Sequence, residues 1–329
     1  MSENTNSRNI GIDALRAVLM FFIILGHLMN AAQTRLLQTN TFDDKYIVFP
    51  FITAFTCVAV NCFFLISGYY GIRNNYSKLV KIVLVTYFFY YLFNLSYLLM
   101  GFETVSIDMI KGFIFPVRQY WFIFVYIVLS LIAPYVNKTL DMISINEEKR
   151  LLAILLSLYC GYTFVLKDAV LGANDGYSLS FAIILYMTGH YLKNKENEGQ
   201  FCIRYPLFKY LLLSGITGII VVFMIKTHKQ SYAWDMFSYN NPLVFLASIC
   251  LFYSFKDCTY KFKQLSNLGG YALYIYVFHS TSVFAASYKT LIITIRNYGM
   301  FYLFTFIIVL SLLLFVGGGI LGEGIQLVV

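Results

Sequence analysis

The sequence predicts an all-α integral membrane protein: a polytopic bundle of about ten transmembrane helices, both termini cytoplasmic, folded as one domain over residues 1–329. Three observations carry this expectation. The 329 residues are 59% hydrophobic and 12% charged, with mean hydropathy +0.70, whereas soluble domains carry about 25% charged residues. Ten apolar runs approach the roughly 20 residues that a helix needs to span hydrocarbon. Period-2 alternation is absent, which argues against a membrane β-barrel.

The first run, 11–33, holds LRAVLMFFIILGHLMN. A basic residue, an apolar stretch and the pair Ala31–Ala32 superficially resemble a cleaved signal peptide. Arg16 interrupts the apolar region, however, and polar Asn30 and Gln33 follow it, so the segment is expected to stay as a helix. The later runs cover 47–69, 79–101, 119–136, 150–166, 177–192, 207–225, 241–255, 268–288 and 298–320. With the N-terminus inside, 14 Lys and Arg fall on the cytoplasmic side, from Arg8 through Arg73, Lys78 and Lys81 to Lys261 and Lys263. Nine fall outside, from Arg35 and Lys45 through Arg118 to Arg296, and Arg16 completes the 24. This bias orients the chain N-in and C-in.

Composition also narrows function. Net charge is +8, but the basic residues sit in short loops between apolar runs, where they orient helices rather than bind nucleic acid. The chain has 32 Phe and 28 Tyr, too many for interfacial belts alone, so many must pack between helices or line a cavity. Six cysteines show no CxxC or Cys/His metal spacing, so they are read as packing residues and no metal is expected. There is no repeat, no low-complexity tract and no loop long enough for a soluble catalytic domain. Chemistry must therefore happen within the bundle or at its mouths.

Arg16 and His27 are the residues that need explaining. Ionisable groups are costly in hydrocarbon and commonly mark a wet cavity or a functional site. Eleven positions at about 100° each bring them within about 20° of one face, and about 1.5 Å of rise per residue separates them by roughly 16 Å. One helix face can thus connect a site near one leaflet to a site near mid-membrane. The residues alone leave alternatives open. Arg16 lies about one turn inside the helix start and could snorkel, with Asp13 as partner; His27 could be a neutral imidazole satisfied by Asn30.

The Arg-x10-His pattern in the first helix resembles the signature of the acyltransferase-3 family, bacterial membrane enzymes that O-acylate sugars of surface polysaccharides. FFLISGYYGIR at 63–73 is similar to the family's second-helix end, and YWFIFVYIVLSLIAP at 120–134 to its fourth helix. SYNNPLVFLASICLF at 238–252 and NLGGYALYIYVFHS at 267–280 resemble its last blocks. The likeness runs in order over essentially the whole chain.

The resemblance implies transfer of an acyl group from cytosolic acyl-CoA, with acetyl-CoA as donor, to a sugar hydroxyl of a polysaccharide or lipid-linked sugar at the outer side of the bacterial cytoplasmic membrane. Membrane lipid would surround the enzyme. His27 is its implied general base, and Arg16 would hold donor phosphate or carbonyl groups or fix the histidine's environment. Ser67 and Gly68 are donor-site candidates, with Arg73, Lys78 and Lys81 as a cationic mouth. The alternative is positive-inside charge beside a helix contact. Tyr120 and Trp121 are acceptor-site candidates or an interface belt. His279 matches a family position, with helix packing through a hydrogen bond as its expected role, while His190 and His228 carry no signal. Two departures concern helix ends: Thr86 and Tyr87 stand where family members often carry a proline, leaving the third helix's start open, and no basic tail follows GGGILGEG.

Two rivals remain at this stage. A transporter or flippase of lipid-linked sugars also needs a wet bundle interior, but commonly shows paired interrupted helices in two halves, and no matching pair is visible. A non-catalytic assembly factor would leave His27 unexplained.

Overall fold

The computed structural model describes residues 9–38, 46–73, 75–101, 107–167, 171–199, 201–256, 258 and 263–328. Arg8, Lys45 and Lys261, which enter the charge partition, lie outside the described residues.

α1 (Ile10–Gln38) starts where the Asn9 side chain accepts the Ile12 N–H at 3.1 Å, and Asp13 in its first turn suits the positive helix end. α2 (Val48–Thr56) and α3 (Ala59–Tyr70) form one crossing with a step at residues 57–58, and α3 stops at Gly71, whose φ is +73°. α4 (Tyr76–Leu99) is capped by Asn75, which accepts the Lys78 N–H at 2.9 Å. The third crossing therefore begins ahead of the expected residue 79, and Thr86 lies well inside it, donating to the Ile82 carbonyl at 2.7 Å.

α5 (Ile107–Ile114) and a 3-10 turn at Pro116–Gln119 lead into α6 (Trp121–Met142), in which Pro134 removes one backbone donor. α7 (Ile145–Leu156) opens on a reciprocal cap between Ser144 and Glu147, then passes through a π-turn, Ser157–Tyr162, into α8 (Thr163–Leu166). α9 (Leu179–Asn197), α10 (Pro206–Lys226), the short α11 (Gln230–Asp235) and α12 (Pro242–Lys256) follow. α13 (Lys263–Gly269), α14 (Ala272–Ser280), α15 (Ser282–Arg296) and α16 (Met300–Val328) complete the chain.

Helix occupies all ten expected runs, and no strand occurs among the described residues. Seven helical segments there are long and apolar enough to cross a membrane; the protein is an all-α polytopic membrane protein. The other three runs differ for visible reasons. α9 ends in a polar stretch of Lys193, Asn194, Lys195 and Glu196, α12 has 15 residues, and the ninth run breaks at Thr281, whose ψ of 134° is extended.

α1 is the axis of the bundle: it packs against α2, α3 and α12 to α16, with Leu15, Leu19, Ile24 and Met29 buried. α3 and α9 approach most closely at Gly68 and Gly189. A Cβ on Gly68 would overlap the Tyr186 carbonyl, and one on Gly189 the Leu65 carbonyl. Small residues at a helix crossing allow this backbone approach. Cys57, Cys62, Cys160 and Cys250 sit in or against the core, as packing residues should, whereas Cys202 is exposed and packing does not explain it.

A two-chambered candidate active site

Arg16 and His27 project from one face of α1 into two different cavities. Arg16 lines a cavity of about 380 Å³ together with Ser67, Lys78, Lys81 and Tyr274. It also lines an adjoining groove of about 260 Å³ with Ser67, Tyr70, Arg73 and Lys78. His27 lines a third cavity, of about 260 Å³, with Asn30, Trp121, Tyr177 and Tyr239. Phe122 and Tyr276 belong to the walls of both the Arg16 cavity and the His27 cavity. Groove, Arg16 cavity, aromatic partition and His27 cavity thus follow one another along α1.

The two sides differ in charge. Four cations, Arg16, Arg73, Lys78 and Lys81, line the groove and the Arg16 cavity, and among the described residues neither has a carboxylate in its wall. The His27 cavity has two carboxylates, Asp175 and Asp235, bridged by Lys167 at 3.3 and 3.2 Å. An anionic ligand is favoured on the Arg16 side by Coulomb attraction and charge-assisted hydrogen bonding.

Arg16 donates to Asp13 Oδ1 at 2.8 Å, and its side chain remains 38% exposed. The expected local ion pair and a cavity-facing guanidinium therefore coexist: Asp13 holds one end of the fork and leaves the others open. His27 is exposed to its cavity, and among the described residues its ring makes no side-chain hydrogen bond. Asn30 lines the same cavity. Both ring nitrogens are available to whatever enters.

The other sequence candidates divide. Ser67 lines both Arg16-side spaces and donates its hydroxyl proton to the Phe63 carbonyl at 2.9 Å, leaving its lone pairs for a ligand. Arg73 is exposed in the groove wall. Gly68 stands at the α3–α9 crossing and not in a cavity wall. Trp121 forms part of the His27 cavity, but its neighbour Tyr120 is buried at 2% exposure, packed on Tyr276 behind the wall. Trp121 and Phe122, adjacent on α6, both face the cavity, whereas Tyr120 just before the helix turns into the core.

The structure adds residues that the sequence did not single out. Tyr239 lies nearly parallel to Trp121, 5.9 Å between ring centroids, and Tyr177 packs 4.4 Å from Tyr239. This aromatic wall is fixed by backbone hydrogen bonds: Tyr239 N–H donates to the Asp175 carbonyl at 2.9 Å, and Asn61 Nδ2 donates to the Tyr239 carbonyl at 2.8 Å. Asn240 donates to the carbonyl of Tyr159 in the π-turn at 2.9 Å, and Asn241 to that of Met236 at 2.7 Å. Gly176, at φ +85°, gives the Asp175 loop its close approach, since a Cβ there would stand 2.6 Å from Tyr239 Cβ. A polar Asn61 inside an apolar helix was the available signal, because such residues hydrogen-bond across helices; its partner could not be read.

His190 lies elsewhere, paired with buried Glu148 at 2.9 Å where α9 meets α7. His279 is different: its ring stands 5.3 Å from that of His27.

The family model of the acyltransferase-3 group, described as an acyltransferase domain, matches residues 9–319. No curated protein and no solved structure matches the chain.

Proposed function

The chain belongs to the acyltransferase-3 family and is a membrane acyltransferase; from that premise we propose that it moves an acetyl group from cytosolic acetyl-CoA to a sugar hydroxyl of a cell-surface polysaccharide or its lipid-linked precursor. The observation that supports this reading is the pair of chambers meeting at Phe122 and Tyr276, one lined by cations and the other, which His27 lines, by aromatic rings. CoA phosphates suit the cations of the Arg73 groove, and the pantetheine arm suits the passage along α1 past Arg16 and Ser67. Trp121 and Tyr239 offer a flat aromatic face for a sugar.

In the reaction, His27 takes the proton of the acceptor hydroxyl as its oxygen attacks the thioester carbonyl carbon. A C–O bond forms, the C–S bond breaks, and the proton held by His27 leaves with the CoA thiolate. A positioned general base contributes typically about 10²- to 10⁴-fold. Arg16, holding its fork geometry against Asp13, places charge near the donor. The bacterial cytoplasmic membrane, with both termini inside, is the setting this requires, since Arg16 and Arg73 must then face the cytosolic acyl-CoA pool.

The test is chemical analysis of the cell's polysaccharide with and without this protein, joined to transfer from labelled acetyl-CoA by the purified enzyme in lipid. Loss of an O-acetyl signal, restored by the wild-type protein and not by His27→Ala, is the expected result. An unchanged polysaccharide, with no acyl-CoA turnover by the purified protein, would overturn the reading.

A further inference from the structure

We infer that His279 is a positioning residue for His27, the second imidazole of a pair and not merely a helix-packing histidine. The inference rests on the acyl-transfer role of His27 given above.

His279 is 1% exposed and stands on α14, one residue before that helix ends. Its Nδ1 is 2.8 Å from the Ile275 carbonyl, one helical turn back. A carbonyl only accepts, so Nδ1 carries the proton and the tautomer is fixed. The other nitrogen, Nε2, is 3.1 Å from Ser280 Oγ, and in the neutral ring it accepts the hydroxyl proton. Both nitrogens are thus engaged by neighbours on the same chain segment, and the ring cannot turn without losing two hydrogen bonds. Leaving either buried group unpaired would cost its desolvation.

This fixed ring lies between the two aromatic groups that matter most. Its centroid is 5.3 Å from that of His27, with the planes inclined by 39°, and 5.7 Å from that of Tyr276, edge to face at 84°. His27 has no hydrogen bond of its own among the described residues. Its orientation therefore depends on packing, and the ring beside it is the one whose geometry is pinned. Tyr276 carries the same constraint to the partition between the chambers. Thr281 ends the helix immediately beyond, its hydroxyl donating to the Phe278 carbonyl at 2.9 Å, which fixes where α14 stops and so where His279 stands.

A purely structural role and a positioning role separate through His279→Asn. Asparagine can make the same one-turn hydrogen bond, as Asn94 does to the Tyr90 carbonyl at 2.8 Å in this protein. It has no ring to set against His27. Labelled acetyl transfer from acetyl-CoA to the cell's polysaccharide is measured for His279→Asn, His27→Ala and the double variant, each purified in lipid with its thermal stability recorded.

The expected result is a folded His279→Asn protein with kcat lowered about 10- to 100-fold, the scale on which misplacing a catalytic group by an ångström costs rate, and an unchanged KM for acetyl-CoA. The double variant should be no slower than His27→Ala alone, since groups acting as a unit are not additive. Wild-type kcat in a folded His279→Asn, or an additive further loss in the double variant, would overturn the inference. A fully active His27→Ala would instead remove the role of His27 on which it rests. If His279→Asn does not fold, His279→Gln is measured by the same criteria.

Discussion

Phe122 and Tyr276 stand with ring centroids 5.5 Å apart, inclined by 56°, and each contributes to both chambers. They form a two-residue wall between a cationic cavity and the cavity of His27. Their packing, and not any charged group, separates the two spaces.

Thinning that wall should uncouple donor from acceptor. Phe122→Ala removes a ring from the partition, and water from the His27 side then reaches the thioester. Acetyl-CoA hydrolysis in the absence of acceptor should rise several-fold while transfer falls. Hydrolysis at the wild-type level with normal transfer would show that the wall does not control access.

His27→Ala should lower acyl transfer by about 10²- to 10⁴-fold with the protein still folded and inserted. Arg16→Lys should also be damaging, because lysine keeps the charge but loses the planar fork that can bond Asp13 and still face the cavity. Turnover at matched expression checks both. Near-wild-type rates for His27→Ala would exclude it as the base.

Arg73→Ala should weaken binding of CoA more than of acceptor, and added salt should weaken wild-type binding in the same direction, because an exposed phosphate site is screened. Donor titration on the purified protein decides it. Labelling of a cysteine introduced at residue 73 by a membrane-impermeant reagent adds a check on sidedness: reaction only from the inside is expected for ten crossings with both termini cytoplasmic.

Gly68→Ala should act on the fold and not selectively on the donor. The added methyl group meets the Tyr186 carbonyl, and overpacking of this kind costs typically about 1–3 kcal/mol. A lowered melting temperature together with loss of yield is expected. A stable Gly68→Ala protein with weakened CoA affinity would return Gly68 to the donor site.

The sequence by itself determined the class of molecule and its reactive axis. Apolar runs give helices because hydrocarbon offers backbone groups no partner outside the helix, and Arg16 and His27 share a face because helical spacing alone decides that. Local capping is equally readable, as at Asn75 and Ser144. What spacing cannot decide is which residues of different helices meet. Trp121 and Tyr120 are equivalent as letters, yet the start of α6 turns one toward His27 and the other into the core. Gly68 stands at a helix crossing that its own segment does not reveal, since its neighbour Tyr186 comes from a segment over a hundred residues away. Asn61 and Tyr239 are 178 positions apart in the sequence, and His279 reaches His27 from α14. These contacts depend on where tightly packed helices cross, a property of the whole bundle and of no single helix, and only the tertiary structure decided them.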